Sequence, residues 1–577
     1  MDMMEIENEG MGQKNLSRRS FLGLAGLAGV TLAGAGLAGC SPSTKSGAST
    51  ATSTAVSAAT SAATASSTDT DAIWALKEVG TPTKTVEADV CIIGAGGTGT
   101  AAAIQAIDLG LKPVVIERMG DYGGSFIGTE GMTALQSHYT EADGGIYWNG
   151  EYYGVAAATK ACLTYHHWIP QHKLYTNFFS QTAETIDWLE GHGQKFVGNI
   201  SIGSGPKIWH VYDKGTAASP GGYFMQTFGA TAKSLGVEAY FNTFARKIVM
   251  EGGKVAGVIA EQQDGTIMKV TAPVVMVGTG GYANNSAFLY GVSETKNENI
   301  QALGMDCRDG DGIKMAKDAG ADMAEGLGTV MWCGPVPIGA IQSTWTTNAY
   351  SAGVQPTLWV NENAERFCAE DIWEDDFAGA GICVRNQKKT FILFTEQDMK
   401  NWETTGPYIQ VFSFGNPGTP LSEARATLQA ASSCHVGSSL DEVAKAAGLD
   451  ATKLKATVDT YNAYCAAAAG LAPTDTTADK DFGKRAEHLR KVDAGPYWLI
   501  EVADGYYTTC GGIKVNENIE VLDADGEVIP GLYAGGSDAG GLYGDSYDVT
   551  RAPGSQASWA VNSGRLAMKN AKVYLGK

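Results

Sequence analysis

Three glycines set close together constrain this chain more than any other feature. In Val86–Glu117, VEADVCIIGAGGTGTAAAIQAIDLGLKPVVIE, Gly94, Gly96 and Gly99 stand between a short apolar run and an Ala-rich stretch, and a second apolar run follows and ends in Glu117. The spacing predicts strand, tight turn, helix and parallel strand, the βαβ unit that binds a dinucleotide. Gly94 permits the turn, Gly96 and Gly97 leave bare backbone for a pyrophosphate, and Gly99 lets the helix lie against the strand. The pyrophosphate would meet the unpaired N–H groups and positive dipole end of that helix. Glu117 would accept hydrogen bonds from the adenosine ribose, with Arg118 beside it.

The chain has 577 residues, 44% of them hydrophobic and 18% charged, which suits one large or two medium domains with a substantial core. A net charge of −20 and a pI near 4.9 argue against nucleic acid as a partner. The 74 glycines show no fixed period, so they fit several nucleotide-contacting turns rather than a fibrous chain. Apart from Cys40, the cysteines at 91, 162, 307, 333, 368, 383, 434, 465 and 510 form no C-x-x-C pair. No zinc, ferredoxin or c-type haem motif results, and no metal site is expected; an iron–sulfur cluster assembled from distant cysteines stays open. His166 and His167 precede Trp168 without ligand spacing and read as packing residues.

The N-terminal stretch SRRSFLGLAGLAGVTLAGAGLAGC, with Arg18, Arg19, Phe21 and Leu22, resembles a twin-arginine export signal ending in a lipoprotein cleavage box. Residues 1–40 are therefore expected to be a signal, with Cys40 the lipidated end of the mature protein. Residues 41–75, dominated by Ser, Thr and Ala, read as a tether too poor in bulky side chains to fold. Ser46–Ser49 faintly echoes a flavin-attachment sequence, but Ser43 stands where an acid is expected, so it reads as chance composition. The folded part would sit on the extracytoplasmic face of the membrane.

Further glycine turns follow: Gly123-Gly124-Ser125 and Gly128-Thr129-Glu130-Gly131-Met132, then VVMVGTGG ending at Gly280-Gly281, then Gly310-Asp311-Gly312. Near the C-terminus stand Ile529–Gly536 and Gly554-Ser555-Gln556-Ala557, the last opening a helix. In order and type these elements resemble the FAD-binding family of fumarate reductase, urocanate reductase, L-aspartate oxidase and 3-ketosteroid dehydrogenases, over about residues 86–570. The resemblance implies an α/β fold: a Rossmann-like, fumarate-reductase-like FAD-binding domain with an inserted α+β capping domain. It implies FAD-domain segments at 80–327 and 508–577 and a cap at 328–507. It also implies bound FAD, with the Ser555/Gln556 helix start near the flavin pyrimidine edge, where a helix N-terminus stabilises negative charge. Leu358–Phe367 looks like the cap's "VNxxGxRF" strand pair.

The substrate motifs of that family are altered. Glu374, Asp375 or Asp376 stands where a proton-donating arginine is expected, Cys333 or Gly334 replaces a histidine, and Tyr507-Thr508 replaces a histidine pair; only Arg551 matches a carboxylate-binding arginine. One arginine does not offset the desolvation of a dicarboxylate, so fumarate is not the expected substrate. Tyr506, Tyr507, Tyr543, Tyr547 and Asp548, with Trp332, Trp359 and Trp373, favour a neutral or aromatic one. Tyr507, Tyr543 and Tyr547 are the candidate proton donors, and Arg551 the group that orients the substrate. The expectation is a reductase that passes hydride from flavin N5 to an activated C=C bond as a terminal step of anaerobic respiration. A membrane cytochrome or flavinylated carrier would supply its electrons. The alternatives are a dehydrogenase that desaturates a steroid-like or aromatic substrate, and a lipoprotein that binds a ligand without turnover.

Overall fold

A computed structural model describes residues 72–202, 204–217, 219–293, 300–340, 348–409 and 420–577. The twin-arginine stretch, Cys40, Ser46–Ser49 and the tether up to residue 71 lie outside the described residues. Among the described residues, no helix is long and apolar enough to cross a membrane.

Val90–Ile93, Pro113–Ile116 and Val274–Val277 are buried at every position, as central parallel strands with both faces covered must be. They form the middle of a six-stranded sheet in the order Glu520–Leu522, Val528–Ala534, Val274–Val277, Val90–Ile93, Pro113–Ile116, Glu238–Tyr240. Every pairing is parallel except that of the edge strand Glu520–Leu522. The helix Gly97–Asp108 leaves the first of these strands as the glycine spacing predicts, and the C-terminal helix Ser555–Tyr574 lies against it. Gly564 makes that approach possible, since a Cβ there would overlap the Thr98 carbonyl oxygen. Arg565 then ties the two helices, donating to Gln105 Oε1 at 2.9 Å.

A second sheet is organised around one thirteen-residue strand, Tyr497–Thr509. It pairs with Ile300–Ala302, Val330–Pro337, Thr390–Thr395 and Cys434–Gly437, and Leu358–Asn361 extends the sheet beyond Thr390–Thr395. Position 507, where the sequence places a domain boundary, falls inside this strand, and residues Ile73–Lys577 form one compact unit. A separate small core of Leu358, Val360, Leu393, Leu454, Val458 and Tyr461 covers the far face of this sheet. Beside it, Arg366 pairs with Glu370 and Asp479 at 2.9 Å each, and Lys484 reaches Glu370 at 3.2 Å, all of them buried. Breaking one member of such a network strands a buried charge, so the Arg-Phe motif is held in a single register.

Candidate active site

One large cavity runs from the glycine fingerprint to the end of the strand Tyr497–Thr509. At the fingerprint end, Gly94 has φ +102°, and a Cβ on Gly99 would overlap the Gly94 carbonyl oxygen. Gly96 borders the cavity with no atom closer than 3.8 Å to the position of a Cβ, which leaves its backbone open to a ligand. Glu117 also borders it. Its Oε2 accepts the Ala95 N–H at 2.6 Å and its Oε1 the Met119 N–H at 2.7 Å, so each oxygen keeps one acceptor position. Burial raises this carboxyl, and the two amides offset part of that rise. Arg118 pairs with Asp309, and Asp311 opens the helix Asp311–Asp318 at the cavity wall.

Of the glycines and polar residues expected at the cofactor, Gly94, Gly96, Gly97, Glu117, Arg118, Gly124, Ser125, Gly131, Gly280, Asp311 and Gln556 line the cavity. Gly99, Gly123, Met132, Gly281, Gly536 and Ser555 do not. They stand one layer back: Gly281 packs on Thr509 and Ser537, Gly536 on Thr98, Met132 is buried in the strand Gly131–Thr133, and Ser555 accepts from Tyr543. Asp538, which the sequence does not single out, accepts the N–H groups of Thr279, Gly280 and Gly281 and the Thr279 hydroxyl, fixing that loop. Burial outweighs these donors and pushes its carboxyl up to about 6.

Whether this cavity fits a flavin dinucleotide can be judged from its polar atoms. Gln556 Oε1 and Ser125 Oγ are buried at the wall without a hydrogen-bond partner, while Gln556 Nε2 is held on Ser537 Oγ at 2.9 Å. Buried polar groups of this kind require a partner, and a ligand carrying donors and acceptors along its length provides one. Gly554, at φ +74°, begins the helix Ser555–Tyr574 so that its first turn meets the same wall.

At the far end the wall is made by Tyr507, Tyr547, Tyr350, Glu130, Trp209 and Met331. Tyr507 is 3% exposed, and its hydroxyl is hydrogen-bonded to that of Tyr350, which donates to the Cys333 carbonyl at 2.8 Å. Burial raises Tyr507 well above the usual phenol range; the nearby Glu130 and Cys333 add to the rise and the Tyr350 hydroxyl opposes it. Tyr547 accepts the Gly554 N–H at 2.9 Å.

Tyr543 and Arg551 are not at this wall. Tyr543 donates to Ser555 Oγ at 3.0 Å and packs edge-on to His166, while Arg551 lies on Asp548 at 3.4 Å and over the Tyr165 ring. Tyr506 points to the Ala283 carbonyl, and Trp359 and Trp373 donate to the carbonyls of Gln355 and Cys333. Glu374 and Asp375 pair with Arg485, and Asp376 caps the helix Phe377–Arg385 through the Gly379 N–H. None of these acids reaches the cavity.

Among the described lining residues the cations are Arg118 and Arg308. Arg308, which sequence reasoning missed, is 1% exposed and donates to Asn284 Oδ1 at 2.7 Å and to the carbonyls of Leu303, Met305 and Tyr507. Glu130 lay inside a quoted glycine turn, but nothing local in the sequence tells a turn carboxylate from one aimed into a cavity. Tyr350 carries no local signal at all.

A doubly wound sheet, a glycine-cradled cavity and a second sheet delivering side chains to its far end define an FAD-dependent flavoenzyme. A family model described as FAD binding domain matches residues 89–549, and the chain belongs to that family as a fumarate-reductase-like flavoenzyme acting on carbon–carbon double bonds. The chain is 28% identical to vinyl phenol reductase of Lactiplantibacillus plantarum over 499 residues, 84% of this chain and 96% of that protein. It is 26% identical to digoxin reductase of Eggerthella lenta over 567 residues, 92% of each. Among solved structures it resembles the open conformation of a flavocytochrome c3 fumarate reductase, with a TM-score of 0.65, 23% identity and coverage of 85% and 79% of the two chains. It also resembles 3-ketosteroid delta1-dehydrogenase from Sterolibacterium denitrificans, with a TM-score of 0.67, 17% identity and coverage of 85% and 100%. The cofactor is FAD.

Proposed function

We propose that this protein is a reductase of an activated C=C bond in a neutral, aromatic-conjugated substrate. The observation that carries this reading is the composition of the far wall: tyrosine hydroxyls and aromatic or apolar faces, with both lining guanidiniums committed to groups of the protein. A dicarboxylate entering there would lose its water without gaining a bidentate arginine.

When bound, FAD supplies the hydride. Gly96, Gly97, Glu117, Ser125, Asp311 and Gln556 would hold it, and the chain's own contribution to the chemistry is the proton. Tyr507 is the donor: burial keeps it protonated, Tyr350 orients its hydroxyl, and Tyr547 supports the adjoining wall. The likeness to vinyl phenol reductase agrees with an aromatic alkene as substrate. Because the tyrosine pair could equally accept a proton, the desaturating direction is the second reading.

The test is anaerobic oxidation of reduced viologen by the FAD-loaded enzyme with fumarate, 4-vinylphenol, benzylideneacetone and a 3-ketosteroid alkene. Oxidation with a neutral alkene but not with fumarate, lost by at least 100-fold in Tyr507→Phe, is expected. No alkene-dependent oxidation, or an unaffected Tyr507→Phe, would sink the reading.

The export stretch at 16–40 supports a protein lipidated on Cys40 and facing outward, receiving electrons from a separate membrane cytochrome or flavinylated carrier in anaerobic respiration. Cys40→Ala should move the protein from the membrane fraction to the soluble exported fraction; retention on membranes would refute the anchor.

A further inference from the structure

Glu130 is a carboxylate in a wall otherwise built of aromatic rings, hydroxyls and a methionine, and it acts electrostatically on Tyr507 across the same cavity. The Glu130 carbonyl accepts the Tyr212 N–H at 2.9 Å, and Gly131 packs against His210 and Trp209 with no room for a side chain. A base and an acid therefore face one substrate volume. A proton donor alone serves an alkene already polarised by a carbonyl, so Glu130 needs another explanation.

An alkene conjugated to a para-hydroxyphenyl ring supplies it. Such a bond is electron-rich and is no hydride acceptor as it stands. Removing the phenol proton while protonating the terminal carbon converts it into the isomeric para-quinone methide, which is electrophilic at the benzylic carbon. We infer that Glu130 and Tyr507 are the base and acid of that isomerisation, and that the site takes para-hydroxylated alkenylbenzenes; this rests on the reading of Tyr507 as proton donor.

The bookkeeping of atoms is closed. Glu130 takes the phenolic proton, the O–H electron pair moves into the ring, and the alkene π pair forms the new C–H bond with the Tyr507 proton. The isomer then accepts the hydride available from the cofactor at its benzylic carbon, and the phenolate takes its proton back from Glu130. Solvent reprotonates Tyr507.

The two transfers assist each other. While ionised, Glu130 holds the Tyr507 proton more tightly, and once it has taken the phenolic proton that charge is gone, so Tyr507 becomes a stronger acid at the moment it must donate. The groups facing this pair are Tyr350, Cys333 and Tyr547, whose burial pushes each of them upward, and Arg308 behind the Tyr507 carbonyl. Glu130 is thus the carboxylate that borders this end of the cavity.

The isomerisation needs no reduced flavin, which makes it separable from turnover. Oxidised, FAD-loaded enzyme incubated with 4-vinylphenol in D2O should exchange the terminal vinyl hydrogens, read by proton NMR. Exchange should be absent with 4-methoxystyrene and 3-vinylphenol and should fall at least 100-fold in both Glu130→Gln and Tyr507→Phe. In viologen-driven turnover, Glu130→Gln should lose 4-vinylphenol reduction to the same extent, at least tenfold more than it lowers benzylideneacetone reduction. Absence of exchange by the wild type, equal turnover of 4-methoxystyrene, or parallel loss of both substrates in Glu130→Gln each overturns the assignment. Turnover of benzylideneacetone without 4-vinylphenol also overturns it while leaving the reductase reading intact. No turnover of any alkene removes that reading too.

Discussion

Arg308 donates through Nη1 to the backbone carbonyl oxygen of Tyr507, so a fully buried cation stands directly behind the proposed proton donor. Its partners are three carbonyls and an asparagine oxygen, not a carboxylate. Arg308→Met would leave those acceptors unpaired, at about 1–3 kcal/mol for each buried polar group. We expect a loss of about 3–5 kcal/mol in denaturant unfolding of the FAD-loaded protein. A loss below about 1 kcal/mol would show that the Tyr507 backbone is positioned by something else.

Gly99 and Gly110 make a matched pair. A Cβ on Gly99 would overlap the Gly94 carbonyl oxygen, whereas Gly110, at φ +75°, has nothing within 4 Å of the Cβ position. Gly99→Ala should therefore purify without flavin absorbance. Gly110→Ala should keep its flavin and lose only about 1 kcal/mol of stability from the left-handed backbone. Retention of yellow colour by Gly99→Ala would contradict the packing assigned to the fingerprint.

The unpartnered Gln556 Oε1 gives a third expectation. Gln556→Leu removes an acceptor that has no partner within the protein, so reconstitution of apoprotein with FAD, followed by flavin fluorescence, should show affinity weakened about 5- to 30-fold, the equivalent of about 1–2 kcal/mol. Unchanged affinity would place the flavin away from the start of the C-terminal helix.

Arg551 should matter less than its sequence context suggests. Its guanidinium is about one-third exposed and occupied by Asp548 and the Tyr165 ring, outside the cavity wall. Arg551→Ala is expected to change kcat/KM by less than threefold while destabilising the protein by about 1 kcal/mol through loss of the partner of the buried Asp548 carboxylate and of the ring contact. A hundredfold kinetic loss would return it to the substrate.

What the sequence made legible was local. The fingerprint at Val90–Ile116 can be read because strand, turn and helix follow one another within one short segment, and the Ser555 helix start because Gly554 stops one conformation and begins another. Tyr507 was legible as a substitution within a recognisable motif. Tyr350, Glu130, Arg308 and Asp538 were not, because each acts by reaching a partner far away in the chain, and no periodicity records that approach. Tyr543 misled for the opposite reason: adjacent in sequence to the wall, it turns its hydroxyl to Ser555.

Stability should respond to pH in part through two pairs of buried groups that oppose one another. Burial holds His166 and His210 down to about 4 from an ordinary 6.5, so their contribution is complete above 6.5 and is lost as pH falls toward 4. Burial also pushes Asp538 and Asp548 up to about 6 from 3.8, so theirs is complete below 3.8 and is lost as pH rises through 6. Between about 4 and 6 the two pairs act in opposite directions. His166→Phe removes one opposing proton, and relative to the wild type its unfolding free energy should fall by roughly one kcal/mol per pH unit as pH rises through that window. Parallel pH curves for the two proteins would contradict this balance.

The strand Tyr497–Thr509 belongs along most of its length to the substrate-side sheet and ends beside the flavin cavity with Tyr507. The proposed proton donor is thereby carried on the central strand of that sheet. Any movement of that sheet wide enough to admit a molecule would carry the acid away with it, so a reduced flavin facing an open mouth would have no donor beside it. The electrons would then wait for a seated substrate instead of being spent on whatever drifts past.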